Sequence, residues 1–83
     1  MSKLIFRMKY NEAKWPVYLE ETFGKEIAEQ CVVESTQTAS EHDARIHIMN
    51  FKKNAQVIDV LKRNENVISA FIVNNKEAVE TIK

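Results

Sequence analysis

The chain has little glycine, proline or cysteine, since its 83 residues include one of each. A single cysteine, Cys31, cannot form an internal disulfide, and a single glycine cannot build a glycine-rich phosphate loop. No apolar run approaches the roughly 20 residues that span a bilayer, and the N-terminal stretch MSKLIFRMKY lacks the apolar segment of a signal peptide. These absences predict a cytoplasmic protein with no membrane partner.

An excess of charge of one sign is also missing. The chain has 12 Lys+Arg and 12 Asp+Glu, so its formal net charge is zero, and 45% of its residues are hydrophobic. No whole-protein field attracts nucleic acid, and any basic binding site must be local. We expect one globular domain over residues 1–83, with a thin core, because a chain of this size buries only about 60% of its unfolded surface.

The first part of the chain predicts a strand and then a helix. Apolar and polar residues alternate over Lys3–Tyr10, and proline in Trp15-Pro16 suits the first turn of a helix that begins at Pro16. Gly24 either ends this helix in a left-handed cap or lies within it at a cost of about 1 kcal/mol. The apolar stripe favours a helix that continues to about Gln30. That stripe consists of Leu19, Phe23, Ile27 and Cys31.

The remaining elements follow the same two periodicities. They are strands over Val32–Thr38, Asp43–Phe51 and Val67–Val73, a helix from an N-cap at Asn54 to a stop at Asn64, and a short C-terminal helix in which Asn75 is the cap and Ala78, Val79 and Ile82 point inward. This order predicts an α+β, ferredoxin-like βαββαβ fold. Its four-stranded antiparallel sheet has the order 4-1-3-2, with two helices on one face and a short C-terminal tail or helix.

One face of that sheet has no helix on it. The first and third strands are neighbours and give this face a mixed basic and apolar surface, our candidate interaction surface. Its residues are Ile5, Arg7, Lys9, Arg45, His47, Met49 and Phe51. The simpler interpretation is a sheet face partly buried by dimerisation, with Arg and Lys stems lying over apolar neighbours.

The last strand, VISAFIV, is predicted at an edge although it has no lysine, proline or other protective residue and is apolar on both faces. Either a second copy or the C-terminal tail should therefore cover it. Because symmetric homo-oligomers are common, we predict a homodimer. The candidate dimer edge is Val67, Ser69, Phe71 and Val73.

No residue pattern predicts catalysis, a metal site or a cofactor. Cys31 ends an apolar stripe and is expected to be a small buried side chain, while His42 and His47 have no metal-ligand spacing. Glu20 and Glu21 are adjacent on a helix and diverge by about 100°, so they cannot share a substrate. We expect a protein that is not an enzyme.

Two stretches resemble known regulatory domains. Tyr10–Gly24, YNEAKWPVYLEETFG, resembles the first-helix region of the NIL domain, the ferredoxin-like module at the C-terminus of methionine-transporter ATPases, in its Pro16-Val17 and Phe23-Gly24 pairs. Asn54–Val73 resembles the last helix and strand of that domain and of ACT-type regulatory domains. The resemblance implies the fold, pairing through sheets and a regulatory role. No ligand residues carry over, because the chain lacks the loop glycines of both families.

We therefore expect a non-catalytic regulatory or interaction module, of adaptor or inhibitor type, that binds a protein partner or small effector and self-associates through its sheet. The alternative is single-stranded nucleic-acid binding, because the same topology carries the common RNA-recognition fold. That fold stacks bases on aromatic residues of the first and third strands, where this chain has Ile5, His47 and Met49. Arg7, Lys9 and Arg45 could still meet phosphate.

Overall fold

In the computed structural model, which describes residues 2–10, 14–37, 42–74 and 78–83, the strands form one antiparallel sheet. The elements are β1 (Ser2–Tyr10), α1 (Trp15–Phe23), α2 (Lys25–Gln30), β2 (Val32–Gln37), β3 (His42–Phe51), α3 (Ala55–Arg63), β4 (Val67–Val73) and β5 (Val79–Thr81). The sheet order is β2-β3-β1-β4-β5. The predicted α+β class is confirmed, and the first four strands have the predicted order. The predicted four-stranded sheet is wrong, because β5 adds a fifth strand.

The core lies between one face of the sheet and the helices. In β1, Leu4, Phe6 and Met8 are at most 1% exposed, which is the alternation that the sequence predicted. Leu19 of α1 and Leu61 of α3 cover these residues and are equally buried. Full burial of one such side chain stabilises the fold by about 1.5–3 kcal/mol. No described helix packs on the opposite face of the sheet, which we call the open face.

The two longer helices have sequence-encoded ends. The Asn54 side chain accepts hydrogen bonds from the backbone N–H groups of Gln56 at 2.9 Å and Val57 at 3.3 Å, so the predicted N-cap of α3 is confirmed. This helix ends at Arg63, immediately before the predicted stop at Asn64. Helix α1 begins at Trp15, one residue before the predicted start, and has proline in its first turn.

Gly24 separates two helices, so the predicted continuous helix is wrong. Its φ of 89° and ψ of 159° lie in a region that only glycine adopts readily. The Gly24 N–H donates to the carbonyl of Glu20, and its carbonyl accepts from Ala28 at the start of α2. The apolar stripe persists across this break because α2 resumes on the same side, with Ile27 and Ala28 packed against the core.

The C-terminal residues form a strand, so the predicted terminal helix is wrong. β5 pairs with β4 through Phe71–Thr81 and Val73–Val79, and the Ala70 N–H donates to the carbonyl of Lys83 at 3.0 Å. The predicted cap, Asn75, lies outside the described residues. From Ala70 to Val73, β4 is therefore not an edge strand, and the candidate dimer edge is wrong at Phe71 and Val73. The C-terminal tail covers this part of β4, which was the alternative to a second copy.

Two β-bulges change which side chains face the core. Between the pairs Leu4–Ile48 and Ser2–Phe51, β3 has one residue more than β1, and Phe51 is only 5% exposed. One extra residue exchanges the faces of the residues beyond it. The prediction that Phe51 lies on the open face is therefore wrong.

The second bulge lies in β4. Between the pairs Arg7–Ser69 and Met8–Val67, β4 has one extra residue, Ile68, which is 43% exposed. Val67 takes the inward position beside Met8 and is 2% exposed, so its predicted place on a dimer edge is wrong. Beyond the bulge, Ala70 and Ile72 face the core and Phe71 faces outward.

Candidate functional site

The open face is organised in cross-strand rows. The register aligns one residue from each strand in a central row, which runs across the whole sheet. This central row is Val32, His47, Ile5, Phe71 and Thr81, in the order β2, β3, β1, β4 and β5. Neighbouring strands lie about 4.8 Å apart, so adjacent members contact each other. The row is mostly apolar, and it lies on the side of the sheet without helices.

A second row is charged and lies beside the central row. It consists of Glu34, Arg45, Arg7 and Ser69, in the order β2, β3, β1 and β4. Successive outward positions on a strand are about 6.7 Å apart, which is the spacing between the two rows. Lys9 and Asp43 are paired in register one step further along β1 and β3. On the opposite side of the central row, Lys3 pairs with Val73.

Arg7 and Asp43 form the best-defined ion pair of the open face. Arg7 Nε donates to both carboxylate oxygens of Asp43, at 3.0 and 3.1 Å, and Arg7 Nη2 also donates to Oδ2. This hydrogen bonding holds the pKa of Asp43 below its ordinary value, and the charges of Lys9 and Arg45 act in the same direction. It also raises the pKa of Arg7 above its ordinary value. The Arg7 guanidinium is thus held in place by Asp43 on the adjacent strand.

His47 and Glu34 are also associated. His47 Nε2 is shielded from solvent and lies 3.2 Å from Glu34 Oε1, within ion-pair distance although the atoms are not aligned for a hydrogen bond. The His47 side chain is only 12% exposed. His47 is thus largely buried although it lies on the predicted interaction surface. Its register neighbours Ile5 and Val32 explain why a residue on the open face is so well covered.

Arg45 differs from Arg7 because it forms no ion pair with any residue that the structure describes. Its neighbours in the charged row are Glu34 and Arg7. The Glu34 carboxylate approaches His47, and the Asp43 carboxylate binds Arg7. The exposed Arg45 guanidinium is therefore available to a ligand. It borders a shallow groove of about 400 Å³ that Ile5, Ser69 and Phe71 also line.

Most of the candidate interaction surface is brought together as predicted. Ile5, Arg7, Lys9, Arg45 and His47 share the open face, and Met49 is 56% exposed beside the bulge in β3. Three residues of the candidate dimer edge, Ser69, Phe71 and Val73, lie on this face as well.

The open face also includes residues outside the predicted surface, among them Val32, Glu34 and Asp43. Val32 and Glu34 follow from the alternation in β2, and Asp43 follows from its pairing opposite Lys9. The alternation in VVES carried the signal for the first two. For Asp43 the signal was its place two residues before Arg45 on the same strand.

In the part of the chain that the structure describes, the other chemistry-bearing side chains do not converge on a second site. Cys31 is half-buried, its Sγ donates to the carbonyl of Ile27 at 3.4 Å, and burial raises its pKa to about 11. A groove of about 390 Å³ lies between α2 and α3, but its Asn54 side chain is engaged in capping α3. Among the described residues, no group of three or more His, Cys, Asp and Glu side chains is placed to hold a metal ion.

The described residues define an α+β protein with a one-sided sheet and a mixed basic and apolar open face. Within that part of the chain, no helix combines the length and apolar character needed to cross a membrane. No family model, curated protein or solved structure matches the chain.

Proposed function

We propose that this protein is a non-catalytic interaction module, of regulatory or adaptor type, and that the open face is its binding surface. The observation that carries the proposal is the central row, a mostly apolar row of side chains that crosses the sheet without any described element packed on it. The acidic and basic side chains beside it are mostly engaged with one another, as in Arg7–Asp43, which supports binding rather than proton transfer.

The first four strands and the helices form, in this proposal, a ferredoxin-like module to which β5 is added at one edge. The order β2-β3-β1-β4 supports this, with the helices between β1 and β2 and between β3 and β4. β5 closes one edge and leaves the open face accessible. A partner on this face meets side chains rather than backbone groups, so it must recognise apolar and cationic chemistry.

Self-association through the sheet stays a prediction. The closed edge of β4 removes one route to it, and a face-to-face dimer would bring Arg45 and the other cations of two copies together. Like charges in close contact oppose association. A dimer by this route would therefore have to gain more from burial of the central row than it loses through repulsion.

Affinity capture with a matched pair of variants tests the proposal. The face variant carries Phe71→Glu and Arg45→Glu. The control carries Val17→Glu and Arg63→Glu on the helix side, where Val17 is 53% and the Arg63 side chain 80% exposed. We expect a component that the wild type and the control retain and the face variant loses. If every retained component is common to all three proteins, the open face is not a binding surface.

A further inference from the structure

The open face carries more basic than acidic side chains. Among the described residues of this face, the cations Lys3, Arg7, Lys9 and Arg45 outnumber the carboxylates Glu34 and Asp43. Over the rest of the described chain, acidic and basic side chains are nearly balanced, because the glutamates of α1 and α2 are offset by cations such as Lys62 and Arg63 of α3. The open face is thus the more cationic side, and an anionic ligand is its complement.

The open face also carries an aromatic ring at its centre. Phe71 is half-buried and lies one strand from Ile5, and both line the groove beside Arg45. The bulge at Ile68 is what turns Phe71 outward while Val67 turns inward. The described outward positions of β1 and β3 hold no phenyl, phenol or indole ring, because Phe6 and Phe51 face the core, and β4 supplies one to the open face. A ring beside an aliphatic side chain forms a platform on which a flat base can stack.

The central row and the charged row match the bases and the phosphates of a nucleotide chain, respectively. The central row offers Phe71 and Ile5 for stacking, and Arg45 lies about 6.7 Å along the strands in the charged row. The hydroxyl-bearing Ser69 lies in the same charged row, two residues before Phe71 on β4. A single-stranded nucleic acid that crosses the sheet can place its bases on the central row and its phosphates on the charged row.

An acidic polypeptide is a poorer fit to this surface. Extended peptides bind sheets mainly through backbone hydrogen bonds at an edge strand. The open face presents side chains only, and the edges of the sheet, which lie at β2 and β5, are not part of this face. A duplex is excluded from the same mode because its bases are stacked inside. Building on the proposed function, we infer that the open face binds single-stranded nucleic acid, with bases on Phe71 and Ile5 and phosphate at Arg45.

Fluorescence anisotropy with pure components tests this inference. The probes are fluorescein-labelled RNA and DNA single strands of twelve nucleotides, a duplex hairpin and an oligoglutamate peptide of equal length. We expect the single strands to bind with dissociation constants on the order of 10–100 µM at low salt. The logarithmic salt slope should be about −1.4 to −2.8, as for two to four neutralised phosphates. The hairpin and the peptide should bind at least about tenfold more weakly.

Variants assign the binding to named residues. Phe71→Leu keeps an apolar side chain and removes the ring, and it should weaken single-strand binding about tenfold. Arg45→Gln should weaken binding and reduce the magnitude of the salt slope by about 0.7. Arg63→Gln removes the same charge from the helix side and should change neither value. Thermal unfolding followed by circular dichroism verifies that each variant is folded.

Three results would overturn the inference: no binding by single strands at low salt, equal binding of the oligoglutamate peptide, or equal loss of affinity in Arg45→Gln and Arg63→Gln. The proposed function is tested separately. If the oligonucleotides fail while affinity capture identifies a component that depends on the open face, only the nucleic-acid inference falls. If both fail, the open face is not a binding surface.

Discussion

At the scale of single residues, the Arg7–Asp43 pair links the open face to the acid stability of the fold. The pKa of Asp43 is below its ordinary value in the folded protein, so the ionised carboxylate favours the folded state. This contribution is present above about pH 4 and is lost as the pH falls through the folded pKa. We expect Asp43→Asn to have a lower free energy of unfolding than the wild type at pH 6, and we expect this difference to become smaller towards pH 2. Urea unfolding at both pH values measures the difference.

Asp59→Asn is the matched control for that experiment. Asp59 pairs with Arg63 on α3, but their side chains are 54% and 80% exposed, and such pairs contribute little to stability. The free energy of unfolding should therefore change less in this variant at pH 6. A gap for Asp43→Asn that stays constant from pH 6 to pH 2 would contradict the assignment of the effect to the ionised carboxylate.

Cys31 gives a second prediction at this scale. Because burial raises its pKa to about 11, almost no thiolate is present at pH 8, and thiolate is the reactive form. We expect Cys31 to react with a chromogenic disulfide reagent at least about tenfold more slowly in the native protein than in urea. Equal rates in the two conditions would mean that the thiol is exposed. The same shift also lowers stability as the pH rises from about 9 to 11, because the unfolded thiol ionises first.

At the scale of elements, the break between α1 and α2 depends on backbone conformation and not on space. Nothing lies within 4 Å of a Cβ built on Gly24, but its φ of 89° is strained for any L residue. We expect Gly24→Ala to lower the free energy of unfolding by about 1–3 kcal/mol. A D-alanine at this position, introduced by chemical synthesis, should be tolerated. Equal destabilisation by both alanines would point to a steric cause.

Among the elements, features that depend on local patterns could be predicted from sequence, whereas features that depend on strand register could not. The alternation in β1 and the Asn54 cap of α3 are local patterns, and both are confirmed. The bulges are not local, because an extra residue such as Ile68 is defined only by the strand opposite it. For this reason the predicted face of Phe51 and the predicted place of Val67 on a dimer edge are wrong. The apolar spacing across Gly24 fits one helix or two equally well, since α2 continues on the same side.

The prediction of a C-terminal helix is wrong for a related reason. AVETIK has too few residues to distinguish a helix period from a strand period. Its pairing with β4 is a tertiary contact, which local sequence rules do not predict. The open face was predicted in outline because it depends on element order and on alternation. Its central row, including Phe71, depends on register and required the structure.

At the scale of the whole molecule, β5 protects the sheet. Ile82 packs against the core, and the Lys83 side chain donates to the carbonyl of Asn64 at 2.7 Å. Removal of residues 78–83 should lower the free energy of unfolding by about 2 kcal/mol and expose β4 as an edge that promotes self-association. Urea unfolding and sedimentation velocity measure the two effects.

Two single substitutions separate these effects of the truncation. Ile82→Ala removes a packed side chain and should be destabilising, whereas Val79→Ala alters a residue that is 60% exposed and should be nearly neutral. Both keep the backbone of β5, so neither should promote self-association. A monomeric truncated protein of wild-type stability would show that β5 is not needed to protect β4.

The salt dependence of association gives a further prediction at this scale. Two copies that meet through their open faces repel each other, so added salt should strengthen such a dimer. An anionic ligand on the same face should bind more weakly as salt is added. Sedimentation at tens of micromolar protein in 50 and 500 mM salt, with and without single strands, distinguishes the two cases. A dimer that weakens in 500 mM salt would not be formed by face-to-face pairing.

The excess of cations over carboxylates on the described part of the open face has a kinetic consequence. A nearby polyanion attracts this face more strongly than the rest of the described surface, where acidic and basic side chains are nearly balanced, and so exerts a torque on the molecule before contact. The protein would thus approach with its sheet already turned towards the anion, although it gains no long-range attraction as a whole. This pre-alignment extends over a Debye length of about 10 Å at 0.1 M salt and fades as ions are added.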